Sequence, residues 1–264
     1  MYPKAINDVQ VGRIYEIAEG TFVPSVTTVI QWGCPMPIHL LNWIIKTSQG
    51  DPDKYWNVNN RDAQIGIDAH NLVELFAKRQ MGILTRGEYA EFQTISIQDE
   101  PLQKALICFM DFYVKHKPKF LEVETPLFHK SIPYAGRIDA VAEIDGEVWL
   151  LDYKTSRSVD KDKKIQMQLS AYARLYEKIG DHKIDRMGVV HLKKNFVPGK
   201  DGFPSKRSKY LYEYERDDSL MDKALDMFNM FYDQLDSSGK PKIKPQLISD
   251  FGNFFDALIG SENV

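Results

Sequence analysis

Residues 136–154 read GRIDAVAEIDGEVWLLDYK, and the reading of this stretch decides the fold. Two apolar-rich runs flank Asp145-Gly146, the dipeptide that best supplies the positive φ of a tight type I′ turn. The stretch is predicted to be a β-hairpin. With those two residues as the loop, Ile144 faces Glu147, Glu143 faces Val148, Val141 faces Leu150 and Asp139 faces Asp152. Lys154 lies two residues beyond Asp152 and points to the same side of the sheet. Directly opposed side chains have Cβ atoms roughly 4.5–5.5 Å apart, and like charges there destabilise the pair. Two carboxylates among valines and leucines therefore need a counter-charge. A divalent cation with oxygen ligands, Mg²⁺ or Mn²⁺, is the simplest one. The bland alternative, two acids capping a solvated face, gives no reason for Lys154.

Outward from the hairpin, the upstream side is mostly helical. Arg61 to Gln80 has apolar residues at Ile65, Ala69, Leu72, Val73, Phe76 and Ala77, close to the helical period. His70 and Glu74 share one face of that helix, beside the apolar stripe. Asp51 to Asn60 is polar and aromatic and reads as loop or short helix. Ile38 to Thr47 is rich in Leu, Ile and Trp and reads as a buried helix. Ser25 is a plausible N-cap for a helix through Val26, Val29 and Ile30, ended by Gly33 and Pro35. Arg13 to Ile17 and Thr21 to Val23 fit a small hairpin across Glu19-Gly20. Met81 to Glu100 is mixed, Leu102 to Lys115 is an amphipathic helix, and Phe120 to Phe128 alternates as a strand with Glu122 and Glu124 on one side.

Downstream, Ile165, Leu169, Tyr172 and Tyr176 form the stripe of a helix over Ile165 to Ile179, flanked by Gln168. Arg186 to Leu192 reads as a buried strand. Tyr210 to Glu215 reads as a strand pairing with residues 187–194. Between them lies a basic stretch with Lys193, Lys194, Lys200, Lys206, Arg207 and Lys209, interleaved with Phe196 and Phe203. It fits either a solvated loop or a track for a single strand, by phosphate contact and base stacking. Asp218 or Ser219 caps a helix through Leu235. Ser237 to Pro245 is a Pro/Gly/Lys linker, and 246–258 a last amphipathic turn or helix. Helix, three strands, helix and strand within 61–192 make one α/β unit.

The 264-residue chain carries a net charge of −3, so no global basic field advertises a nucleic-acid partner. Its 43% hydrophobic content is enough for a sizeable core. Two cysteines, Cys34 and Cys108, are too few for a four-cysteine metal site and fit a reducing, cytoplasmic setting. The longest apolar runs, such as Leu40 to Ile45, fall far below the ~20 residues of a bilayer span. No signal-peptide segment opens the chain, and no membrane partner is expected.

The pattern GRIDAVAEIDGEVWLLDYKTS followed by QMQLSAYARLY resembles the PD-(D/E)XK nuclease superfamily, in its RecB-like exonuclease branch. Its G-x-x-D, D-x-K and Q-x-x-x-Y motifs match Gly136 with Asp139, Asp152 with Lys154, and Gln168 with Tyr172. An upstream G-x-x-x-H is matched by Gly66 and His70. FVPSVTTVI is similar to the segment that opens mitochondrial genome maintenance exonucleases and related phage nucleases. The match spans roughly residues 22–176. Any one motif is weak, but four in order around the hairpin are specific. Ile138 stands where the superfamily often has Pro, and the cysteine set of the branch's iron–sulfur members is missing.

The resemblance implies a single nuclease domain over 1–264: a helical part to about 118, a catalytic α/β core at about 61–215, and C-terminal helices at about 218–258. The core is a central mixed sheet flanked by helices, with an N-terminal helical elaboration. The implied activity is a metal-dependent DNA exonuclease acting on ends or single strands, in phage or cellular DNA repair and recombination. A structure-specific endonuclease and a non-cleaving DNA-end-binding protein are the rivals. Asp139, Asp152, the carbonyl of Tyr153 and His70 would hold Mg²⁺ or Mn²⁺, which activates a water. Lys154 would orient or help deprotonate that water. Gln168, Tyr172 and Arg137 would meet the nucleic acid. Ser25 has two readings, an N-cap alone or a phosphate contact at a helix N-terminus. Glu124 is an additional acid on the first core strand or a solvated residue, and Glu74 is either a supporting acid or a solvated one.

Overall fold

The computed structural model describes residues 4–8, 12–36, 38–180, 182–197, 199 and 209–231. Asp145 and Gly146 have φ of +52° and +82°, the positive values that a type I′ turn needs. The flanking strands, β7 (Ala140–Ile144) and β8 (Glu147–Lys154), pair as the sequence predicts, with Ile144 opposite Glu147 and Val141 opposite Leu150. The ladder ends at Ala140 opposite Leu151, one pair short of the two acids.

Five strands make the central sheet. β4 (Lys119–Val123) borders β7, and β9 (Arg186–His191) runs parallel to β8. β10 (Leu211–Tyr214) closes the far edge, antiparallel to β9. A parallel neighbour requires a crossover, and α6 (Lys163–Ile179) supplies it between β8 and β9. The fold is therefore mixed α/β with a helix-flanked central sheet.

Both faces of the sheet are covered, which explains the unbroken apolar run Val-Trp-Leu-Leu in β8. Leu150 packs on one side with Val141, Met187 and α6 residues such as Leu169 and Tyr172. Trp149, Leu151 and Tyr153 pack on the other. There they meet α3 (Pro52–Met81), through Ile65, Ala69 and Val73, and α5 (Glu100–His116), through Phe109 and Phe112. The first layer is completed by α1 (Val26–Gly33) and α7 (Ser219–Phe231).

β1 (Lys4–Asp8), β2 (Gly12–Ala18) and β3 (Thr21–Pro24) form a separate sheet that contains the expected small hairpin. This sheet docks through Ser25 and Ala135, where Val26 N donates to Ala135 O and Ala135 N to Pro24 O. That contact brings the start of α1 beside β6 (Gly136–Arg137), which pairs with β5 (Pro126–Leu127).

Two expectations are corrected. α2 (Ile38–Ser48) is not buried: Ile38 is 70% exposed and Ile45 59%, and Leu41 is exposed too, while Trp43 packs edge-on to Tyr55 of α3. Its apolar residues lie all around the helix, so only one side can pack on α3. Residues 51–60 are not a separate short element but the first turns of α3. Asp51 caps them and Pro52 opens them, with no apolar period to reveal it. The linker over 237–245, the helix over 246–258, and Lys200, Phe203, Lys206 and Arg207 lie outside the described residues. Among the described residues, no helix is long and apolar enough to cross a membrane.

Candidate active site

The acids of the central hairpin meet α3, α6 and the break between β4 and β5. Asp139 sits in the bend between β6 and β7. Its Oδ2 accepts the Tyr153 N–H at 2.7 Å, so the carboxylate turns toward β8. His70, on α3, places Nδ1 3.7 Å from that same oxygen, a separation too long for a hydrogen bond. The His70 ring stands edge-on to Tyr153 at 5.9 Å, which fixes its place over the sheet.

Glu124 completes a cluster. β4 slips register between Phe120 and Glu122, and Glu124 takes a left-handed φ of +52°. This conformation is uncommon outside glycine and is retained where the surroundings enforce it. Here Glu124 N donates to Asp139 O at 3.0 Å, tying the two backbones together. The kink also parts Glu124 from Glu122, whose carboxylate instead accepts from Tyr176 Oη at 3.4 Å. His70, Glu124 and Asp139 each offer one ligand atom, and these atoms all lie within 4.8 Å of one another.

Asp152 and Lys154 form the second half. Asp152 is only 3% exposed. Lys154 Nζ donates to its Oδ1 at 2.9 Å and lies 2.6 Å from its Oδ2. Gln168 Nε2, from α6, donates to Oδ1 at 3.1 Å. Oδ2 is sealed from solvent and receives no hydrogen bond of good geometry. Burial pushes the Asp152 carboxyl up, against the pull of Lys154. Burial also works against the Lys154 ammonium, but Asp152 and Asp139 more than offset it and hold Lys154 up and charged. Glu124 rises to about 7, chiefly through burial and then through Asp139, with Arg137 opposing.

The other expected residues surround this centre. Arg137 Nε lies 2.7 Å from Glu124 Oε2 and is 53% exposed. Tyr172 packs so tightly on Gly136 that a Cβ there would lie 2.4 Å from its Cε1. Ser25 caps α1: its Oγ accepts Thr28 N–H at 3.0 Å and contacts Thr27 Oγ1 at 2.9 Å. Glu74 is engaged by Lys78 at 2.7 Å.

A cleft of about 480 Å³ is lined by Ser25, His70, Glu124, Arg137, Asp139, Asp152, Lys154, Gln168 and Tyr172 among others, but not by Tyr153. Arg13, Tyr15 and Asn71 line it too. The sequence reading did not single them out, because the first two reach the cleft only through the docking of the N-terminal sheet. His70 and Lys154 also line a larger neighbouring cleft of about 1210 Å³ with Arg61, Arg157, Lys193 and Lys194. Two of the basic-stretch lysines are thus placed. Lys194 pairs with Asp62 at 3.0 Å, and Lys193 lies 5.4 Å over the Tyr210 ring.

The donor set fits a hard divalent cation. It offers carboxylate oxygens and one imidazole at short mutual distance, beside a buried carboxylate oxygen that the Lys154 ammonium approaches without a well-aligned hydrogen bond. His70, Glu124 and Asp139 are the nearest group, with Asp152 adjoining.

The sequence model of the PD-(D/E)XK nuclease superfamily matches residues 59–240. No curated protein matches the chain. Among solved structures, the crystal structure of SSO0001 is similar at 19% identity and a TM-score of 0.29, covering 60% of this chain and 74% of that one.

Proposed function

Because the chain belongs to the PD-(D/E)XK nuclease superfamily, we propose that it is a metal-dependent deoxyribonuclease, an exonuclease of the RecB-like kind that works from DNA ends or single strands. The observation that carries this reading is the meeting of His70, Glu124 and Asp139 within 4.8 Å, next to a buried Asp152–Lys154 pair. Solvated surface acids have no need of that arrangement.

His70, Glu124 and Asp139 would hold a Mg²⁺ or Mn²⁺ ion, which would supply acidification of a water and polarisation of a phosphoryl oxygen. The chain's own groups do the rest. Lys154, kept charged by Asp152, orients the attacking water and offsets negative charge growing on the phosphate. Gln168 fixes Asp152 from α6 and so keeps the ammonium aimed. Tyr172, seated on Gly136, shapes the wall along which the strand lies. Arg137, half-exposed at the cleft, suits a phosphate in the forked geometry of a guanidinium. Ser25 acts at the N-terminus of α1, where it and Thr27 line the same cleft.

A time course on 5′- and 3′-labelled single strands, duplexes and covalently closed circles tests the reading, run with Mg²⁺, with Mn²⁺ and with EDTA. Linear substrates are expected to shorten from an end, circles to stay whole, and EDTA to stop the reaction. Nicked circles would make the enzyme an endonuclease. Tight binding without product in any metal would make it a DNA-end-binding protein.

A further inference from the structure

Glu124 is claimed twice. It belongs to the cluster with His70 and Asp139, and it is also the counter-ion of Arg137 at 2.7 Å. Both claims come from fixed backbone. Arg137 sits on β6 opposite Pro126 of β5, which holds it over the Glu124–Thr125 break. Glu124 itself is pinned by its backbone bond to Asp139. One carboxylate thus stands 2.7 Å from Arg137 while it lies within 4.8 Å of the His70 and Asp139 ligand atoms.

A guanidinium and a divalent cation on one carboxylate repel each other at close range, and burial weakens the screening between them. The Arg137 side chain, 53% exposed against 15% for Glu124, is the one free to leave. A phosphodiester in the cleft offers it an acceptor that matches its fork better than a single carboxylate oxygen does.

Resting on the nuclease reading above, we propose that Arg137 is an exchangeable cation. Without nucleic acid it occupies Glu124 and holds metal affinity down. When a phosphodiester enters, Arg137 moves to it and releases Glu124 to the metal. Nucleic acid and metal then bind cooperatively, each tightening the other by the same factor. The arrangement restrains the hydrolytic centre until substrate is present.

Calorimetric titration of Mn²⁺ into the full chain tests this, with and without a phosphorothioate single strand that resists cleavage. Without the strand, Arg137→Gln is expected to bind Mn²⁺ about 5-fold tighter than wild type or better, within the usual range of coupling between sites. Arg137→Lys keeps the charge and should stay near wild type. Adding the strand should tighten Mn²⁺ binding to wild type by a similar factor and leave Arg137→Gln almost unchanged. Arg13→Gln removes another cation from the same cleft without touching Glu124 and separates contact from general field. An equal gain in Arg13→Gln, no gain in Arg137→Gln, or no effect of the strand on wild type would overturn the exchange. Glu124→Gln tells this failure from a deeper one. If it keeps wild-type Mn²⁺ affinity, or if wild type binds no Mn²⁺ at all, the metal site is wrong and the exchange falls with it. If Glu124→Gln loses Mn²⁺ while Arg137→Gln gains nothing, only the exchange is rejected.

Discussion

At the scale of single residues, Asp152 shows how much depends on charge rather than shape. Its carboxylate is buried, ion-paired with Lys154 and hydrogen-bonded by Gln168. Asp152→Asn keeps the volume and one acceptor oxygen for both donors, but removes the charge and sets an amide NH2 where Oδ2 faces the Lys154 ammonium. Cleavage of a labelled strand is expected to fall at least about 10²–10³-fold, the usual loss when a charge-stabilising group is removed from a site. The melting temperature should also fall, because the part-buried Lys154 loses the carboxylate that pairs with it. Undiminished turnover would sink the assignment. Gly136 makes the complementary case, shape without charge. A methyl there would meet Tyr172 Cε1 at 2.4 Å, so Gly136→Ala should destabilise the fold by about 1–3 kcal/mol through overpacking. Tyr172→Ala removes the obstructing ring. In a double-mutant cycle by urea unfolding, the pair should cost clearly less than the sum of the singles. Strict additivity would mean that the backbone moves aside instead.

At the scale of elements, the central hairpin was readable because its signal is local. A dipeptide with positive φ fixes the loop, the loop fixes the register, and the register sets Asp139 and Asp152 toward one place. Glu124 was harder, because its position follows from a register slip and a left-handed residue in β4, neither of which alternation announces. The sequence left open whether it was functional or solvated; the kink sets it within ligand distance of His70 and Asp139. α2 misled for the opposite reason: apolar content reports a preference for burial, not the presence of a partner. The short helix α4 (Arg86–Thr94) was hidden in a mixed stretch, yet its start is well defined. Glu88 Oε2 accepts Thr85 N–H at 2.8 Å, and its own N–H donates to Thr85 Oγ1 at 3.2 Å. Lys78, from α3, adds an ion pair at 2.7 Å. Lys78 and then Thr85 hold the Glu88 carboxyl at about 2, below its ordinary 4.5. Because the folded value is depressed, the stabilisation is complete above pH 4.5 and lost as pH falls toward 2. Glu88→Gln should therefore destabilise the protein at pH 6 by about 1 kcal/mol, discounted for partial exposure. The gap in urea midpoint from wild type should narrow below pH 4.5. A gap that is constant down to pH 3 would show that the charge contributes nothing.

At the scale of the whole molecule, the cluster joins α3, which meets the sheet by packing, to strand ends already tied by backbone hydrogen bonds. His70 comes from α3, which belongs to one core layer. Glu124 follows β4, and Asp139 lies between β6 and β7, where the N-terminal sheet and α1 also dock. A cation shared by these three would cross-link helix layer, central sheet and the β5–β6 pair, and the unfolded chain has no such site. Binding to the folded state alone stabilises it by about 2.7 kcal/mol at a hundredfold excess over the dissociation constant. For a domain of this size that corresponds to a rise of about 5–10 °C in melting temperature. Mn²⁺ added to the EDTA-stripped protein should produce that rise in a thermal scan. Glu124→Gln and Asp139→Asn should each lose most of it. A rise that survives both ligand substitutions would place the ion elsewhere on the protein, and the three-residue cluster would then be an ordinary group of acids around a histidine.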